Sequence, residues 1–181
     1  YWRTGAVLMS AISAIEMAMW DISGKYFGVP VSHLLGGTVR DSIRMYANAW
    51  FAGAKRPEEF AAKAKEAVDR GVTALKGDPF GKAYLTLTNA EFGTSCDCVA
   101  AVREAVGDKV DLLIEGHGRL NVSTAIRVSK ALEPFRPMFF EEPVPPDNLD
   151  ALAEVRAGSA VPIAAGERVY VTIAGQSLTA G

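Results

Sequence analysis

Cysteine and histidine are scarce in these 181 residues, with two of each. The cysteines, Cys96 and Cys98, stand two apart, which fits neither a zinc pair nor a C-x-x-C redox motif. Two thiols make no disulfide framework, so a reducing cytoplasm is the expected compartment and the pair reads as semi-buried helix thiols. Positive charge is not in excess either. Nineteen Lys and Arg face twenty-one Asp and Glu, for a net charge of −2. No basic stripe is present to track a nucleic acid backbone. No apolar run approaches the roughly 20 residues of a membrane span, so no membrane partner is expected. Nothing resembles a signal peptide, although the chain begins at Tyr1 and not at Met. It ends at Thr179-Ala180-Gly181, and we read it as a piece of a longer protein. A dinucleotide fingerprint is missing too: Gly116-x-Gly118-x-x-Asn121 lacks the third glycine.

The chain does have apolar residues, at 49%, enough for a domain with a real core. Residues 7–25 read as a helix. Ile12, Ile15, Met19 and Ile22 share one face, and Ala11, Ala14 and Ala18 permit close packing. Gly24 and Gly28-Val29-Pro30 end it, a short segment Val31–Leu35 follows, and Gly36-Gly37 marks a turn. The domain boundary is placed there, giving residues 1–37 and 38–181.

From residue 38 strands and helices alternate. The strands are Ile43–Ala47, Val72–Lys76, Val110–Glu115, Met138–Phe140 and Val161–Ala164. Between them lie helices at Pro57–Arg70, from a cap at Thr94 or Ser95 to Gly107, from Asn121 to about Leu132, and from Asp147 to Gly158. Strand starts fall 29, 38, 28 and 23 residues apart. A (β/α)8 barrel spends about 31 on each unit, and apolar strands separated by amphipathic helices argue a parallel sheet covered by helices. The fold class is therefore α/β. A doubly wound open sheet is the rival.

Three strands end in carboxylates. Glu115, Glu141 and Glu167 recur at intervals of 26 residues, each at an apolar strand's end. Such strand ends build the active site of a barrel. His117 stands two residues after Glu115, on the same side of an extended chain. Lys76 ends the second strand and joins this group. Two charges about 4 Å apart repel by roughly 4 kcal/mol at an effective dielectric of 20. Three converging acids must therefore protonate or bind a cation. Oxygen ligands alone select a hard ion such as Mg²⁺. The alternative is three surface glutamates at helix N-termini.

Several stretches resemble the enolase superfamily, in its mandelate racemase/muconate lactonizing branch, and most of all its acid-sugar dehydratases of the D-galactonate dehydratase type. They are Ser13–Ile22, Gly28-Val29-Pro30-Val31 with Leu34–Gly37, Ala74–Gly81, Glu115–Arg119, Phe140–Pro143 and Gly166-Glu167-Arg168. The resemblance implies a partial TIM-type (β/α)7β barrel, about strands 1–5, preceded by the helical tail of an α+β capping domain. It implies Glu115, Glu141 and Glu167 as Mg²⁺ ligands, although the first is more often Asp. It implies His117 as the general acid. Relatives carry Lys-x-Lys where this chain has Lys76-x-Asp78, and the second lysine is a base, so lysine-base racemase chemistry is disfavoured. The implied reaction is loss of water from a sugar acid, an aldonate, to a 2-keto-3-deoxy acid by a hydro-lyase. Mg²⁺ would stabilise the enediolate formed when the α-proton leaves. The base, a His–Asp pair in the family, is expected beyond residue 181, so these residues alone are expected to be inactive. Lys76, Asp78, Arg119 and Arg168 are candidates to touch substrate. His33 reads as structural, and Trp20 and Trp50 as packing. A homo-oligomer is expected by resemblance only. The rivals are a racemase or epimerase of a carboxylic acid and a non-catalytic metal- or sugar-acid-binding remnant.

Overall fold

A computed structural model of the protein describes residues 5–168. The tail from Val169 lies outside the described residues. The chain divides into two compact units, one of Tyr1–Arg44 with Glu167–Gly181 and one of Met45–Gly166.

In the first unit, α1 runs over Ala6–Phe27, and Gly28 at φ 67° closes it in the left-handed conformation. A short α2, Val31–Leu34, follows. A Cβ on Gly24 would meet the Val29 carbonyl oxygen at 2.8 Å, so this position admits only glycine without a shift of backbone. The helix forms as the sequence predicts, but Ile15, Met19 and Ile22 are 65%, 62% and 65% exposed. The expectation that no stretch approaches a membrane span is corrected here. By length and composition alone α1 is long and apolar enough, with an 18-residue window of mean hydropathy 1.3. Its few charges, Glu16, Asp21 and Lys25, interrupt the strict apolar run but leave the average high.

The second unit begins where a strand is expected and has only one bridge. Ala47 pairs in parallel with Leu75, its amide donating to Ala74 O and its carbonyl accepting from Lys76 N, both at 2.9 Å. Ala49, at φ 55°, then turns the chain out of the extended region. Helix α3, Pro57–Asp69, carries the expected start: proline in its first turn, and a Glu59 carboxylate accepting from Lys55 N and Arg56 N. Strand β1 is Ala74–Gly77. Helix α4 spans Asn89–Val106 and starts earlier than expected. The cap is Thr88 rather than Thr94 or Ser95, because Thr88 and Glu91 make a reciprocal capping box. Strand β2 is Asp111–Glu115, and α5, Val122–Leu132, is capped by Asn121 as expected. Strand β3 is Phe139–Glu141. Helix α6, Leu149–Gly158, is capped by Asn148 and not Asp147, since the Asn148 carboxamide oxygen accepts from Ala151 N. Strand β4 is Ile163–Ala164.

The described strands form one four-stranded parallel sheet in the order β1-β2-β3-β4. That order follows the chain, without the reversal that marks a doubly wound sheet. The core lies between strands and helices: Leu75, Leu112, Ile114 and Phe140 from the sheet, Phe60, Val102, Val128, Leu132 and Val155 from the helices. Each such side chain contributes roughly 1.5–3 kcal/mol on burial.

Candidate metal centre

Register places the acids. In the parallel ladder Glu115 of β2 is the partner of Glu141 of β3, and Glu141 is the partner of Ala164 of β4. Neighbouring strands lie about 4.8 Å apart, so paired residues at their ends bring side chains to one place. Lys76, on β1, reaches across. Its Nζ lies 2.9 Å from Glu115 Oε2 and 2.8 Å from Glu141 Oε2, and 5.3 Å above the Tyr46 ring. Burial by itself would lower the Lys76 pKa. The hydrogen bonds and charges of Glu141 and Glu115 outweigh it and hold the ammonium above the ordinary lysine range. Glu167 follows Gly166, three residues past β4. One oxygen from each of Glu115, Glu141 and Glu167 lies within 4.8 Å of the others.

The donor set suits a hard divalent cation. Three carboxylates against one ammonium leave a formal charge of minus two. Oxygen donors of this kind match Mg²⁺, which keeps some positions for other ligands.

Past the strand ends the two chains stay zipped. Gly116 N donates to Glu141 O at 2.8 Å, Gly118 N to Glu142 O at 2.6 Å and Leu120 N to Pro143 O at 3.0 Å. Gly116 is pressed so close that a Cβ would meet Glu142 O at 2.7 Å and Pro143 Cα at 2.9 Å. His117 (φ 51°) and Glu142 (φ 40°) both take the left-handed conformation here. Side chains with Cβ atoms rarely adopt it, and such strain gathers at functional sites. Glu142 is buried.

A second constellation adjoins the acids. His117 Nδ1 lies 2.7 Å from Asp78 Oδ2, and the His117 amide donates to Glu115 Oε1 at 2.9 Å. Arg119 Nη2 donates to both Asp78 oxygens at 2.5 Å. Its Nη1 reaches Gly81 O at 2.7 Å and its Nε reaches Gly116 O at 3.2 Å. Phe80 N donates to Asp78 Oδ1 at 3.0 Å. Sequence reasoning named Asp78, His117 and Arg119 separately and missed that they form one cluster. The signal was present: Lys76-x-Asp78 and Glu115-x-His117 repeat one spacing at the ends of adjacent strands. Arg168 stands beside Glu167, Nε to Oε1 at 3.8 Å. Trp50 is packing, as expected, stacked edge-on to Phe51 and Phe60 with its indole donating to Lys76 O. His33 lies in α2, in the other unit.

The chain is similar to known proteins. Residues 59–176 match the family described as enolase C-terminal domain-like. Residues 1–36 match the mandelate racemase/muconate lactonizing enzyme N-terminal domain, so α1 falls within that domain's sequence. The chain is 46% identical over 160 residues to D-gluconate dehydratase of Thermoproteus tenax, covering 88% of this chain and 32% of the relative. It is 41% identical over 160 residues to D-gluconate/D-galactonate dehydratase of Picrophilus torridus, covering 88% of this chain and 41% of the relative. The crystal structure of a mandelate racemase/muconate lactonizing enzyme from Jannaschia sp. CCS1 superposes with a TM-score of 0.83 at 39% identity, covering 92% of this chain and 46% of that one. The chain thus spans less than half the length of these relatives. Sequence match and superposition agree, and the chain belongs to the enolase superfamily, in its mandelate racemase/muconate lactonizing enzyme group.

Proposed function

We propose that this chain is part of a magnesium-dependent acid-sugar dehydratase, a hydro-lyase that removes water from an aldonate to give a 2-keto-3-deoxy acid. The observation that carries the reading is the convergence of Glu115, Glu141 and Glu167 beside a histidine held by Asp78. The dehydratase relatives support the substrate class. The four strands are read as part of a (β/α)7β barrel, and residues 1–37 as the tail of its capping domain. A cytoplasmic homo-oligomer acting on a small sugar acid completes the proposal.

In this reading Glu115, Glu141 and Glu167 hold Mg²⁺. Bound there, the ion supplies positive charge to the substrate's carboxylate and makes the neighbouring C–H more acidic. Lys76 keeps two of the three carboxylates apart from each other's repulsion and adds positive charge on the same side. His117 gives a proton to the departing β-hydroxyl. The base that takes the α-proton is assigned to residues outside this chain, so the 181 residues alone do not turn over. Racemisation is the second reading, and Asp78 argues against it by standing where a lysine base would.

The test is turnover of a panel of aldonic acids in D₂O with magnesium, by this chain and by a protein of the relatives' full length that contains it. The full-length protein is expected to form keto acid and this chain none. Deuterated substrate without keto acid would establish racemisation instead. Keto acid from the 181 residues alone would refute the assignment of the base.

A further inference from the structure

We infer that Asp78 is a positioning residue for His117: it fixes the ring with hydrogen on Nδ1, and Arg119 fixes Asp78. The role of His117 as proton donor rests on the function proposed above; the geometry of the cluster does not.

The donors and acceptors decide the tautomer. A carboxylate can only accept, and Asp78 Oδ2 stands 2.7 Å from His117 Nδ1. The hydrogen of a neutral ring therefore sits on Nδ1. An imidazole whose hydrogen sat on Nε2 would turn a lone pair toward the carboxylate and lose this contact. The residue is gripped at its other end too, where its amide donates to Glu115 Oε1 and its backbone is held at φ 51°. Backbone and ring are thus set by different acids, one from β2 and one just past β1.

Asp78 is itself crowded with donors. Arg119 Nη2 reaches both of its oxygens, and Phe80 N reaches Oδ1. Arg119 Nη1 and Nε donate to the carbonyls of Gly81 and Gly116. Its guanidinium is therefore tied to the chain on three sides, joining the loop after β1 to the loop after β2. These contacts assign Asp78 and Arg119 to holding His117 in place of touching substrate. They also give a physical account of aspartate at this position: a lysine there would repel Arg119 and offer the ring no acceptor.

The test reads the ring directly. The chain has two histidines, so labelling histidine with ¹⁵N gives two rings, and His33→Gln assigns them. Long-range proton–nitrogen correlation then shows which nitrogen carries hydrogen in the neutral ring. In the unchanged chain the His117 hydrogen is expected on Nδ1. In Asp78→Ala it is expected to move largely to Nε2, with amide signals away from the two loops unchanged. Hydrogen on Nε2 in the unchanged chain overturns the inference, and so does an Asp78→Ala ring that keeps hydrogen on Nδ1. If Asp78→Ala does not fold, the unchanged chain's tautomer decides. In an active full-length protein Asp78→Asn is expected to lower kcat by about 10–100-fold with KM little changed. A raised KM with kcat intact would show substrate contact and overturn it. A full-length protein inactive on every aldonate sinks the proposed function alone, because the tautomer is read without turnover.

Discussion

Glu115 and Glu141 are register partners on adjacent parallel strands, and one ammonium, Lys76 Nζ, stands 2.9 Å from an oxygen of the first and 2.8 Å from an oxygen of the second. Without that ammonium the ladder would force two acids together with nothing between them. At an effective dielectric of 20, a pair about 4 Å apart costs roughly 4 kcal/mol. The lysine is therefore part of how these two acids are held together in the folded chain.

Lys76→Met is expected to cost about 3–5 kcal/mol of stability in chelator, since it leaves buried carboxylates without their counter-charge. Magnesium should recover a large part of this loss, which urea unfolding with and without the ion will measure. The pH dependence has a definite sign. Lys76 has its folded pKa raised above the ordinary 10.5. Its contribution is complete below 10.5 and declines as pH rises beyond that value, where the unfolded chain releases a proton the folded chain keeps. The gap between the unchanged chain and Lys76→Met should be level below 10.5 and narrow above it. A gap that widens there would be the wrong sign.

Gly116→Ala tests the close approach of β2 and β3. The new methyl meets backbone, not a flexible side-chain tip, at 2.7 and 2.9 Å. Overpacking of this kind costs about 1–3 kcal/mol. The strand ends must part, so Mn²⁺ binding measured by calorimetry should weaken as well. Gly93→Ala is the control. It lies within α4 with nothing inside 4 Å of its Cβ position. That change should stabilise the chain by about 1 kcal/mol and leave ion binding alone.

Cys98 should resist alkylation in the native chain. Burial, with the nearby charges of Asp97, Glu58 and Glu59, pushes its thiol up to about 11 from 9.0. Burial raises the Cys96 thiol as well, helped by Asp97. Iodoacetamide at pH 8 should label neither quickly until denaturant is added. Between pH 9 and 11 the unfolded chain loses a Cys98 proton that the folded chain retains, so stability should fall across that range. Cys98→Ala should flatten that part of the curve. Rapid native labelling of Cys98 would mean that α4 opens far more readily than its packing suggests.

The acids were legible because their signal is simple: an apolar run, a carboxylate at its end, and the same interval twice. Caps at Pro57 and Asn121 were legible for the same reason, as each depends on a few adjacent residues. Thr88 was readable too, through Glu91 three residues on, but the apolar spacing of Val99, Val102 and Val106 drew the start of α4 too late. The first strand failed differently. Ile43 and Met45 look like strand residues, yet they are 73% and 75% exposed, and a strand with neither face covered gains little from its composition. The Asp78 cluster was harder to read than its repeated spacing suggests, because it depends on three loop side chains whose meeting is set by the sheet.

The distance between Glu115 and Glu141 is a property of the ladder and not of the loops. Glu115 and Glu141 sit on rungs fixed by main-chain bonding, while Glu167, Asp78, His117 and Arg119 sit on segments beyond the strands. Those segments can therefore be exchanged, by recombination or in the laboratory, and the spacing of this pair will be inherited unchanged. Such a scaffold lets new selectivity evolve without rebuilding the part that is hardest to assemble.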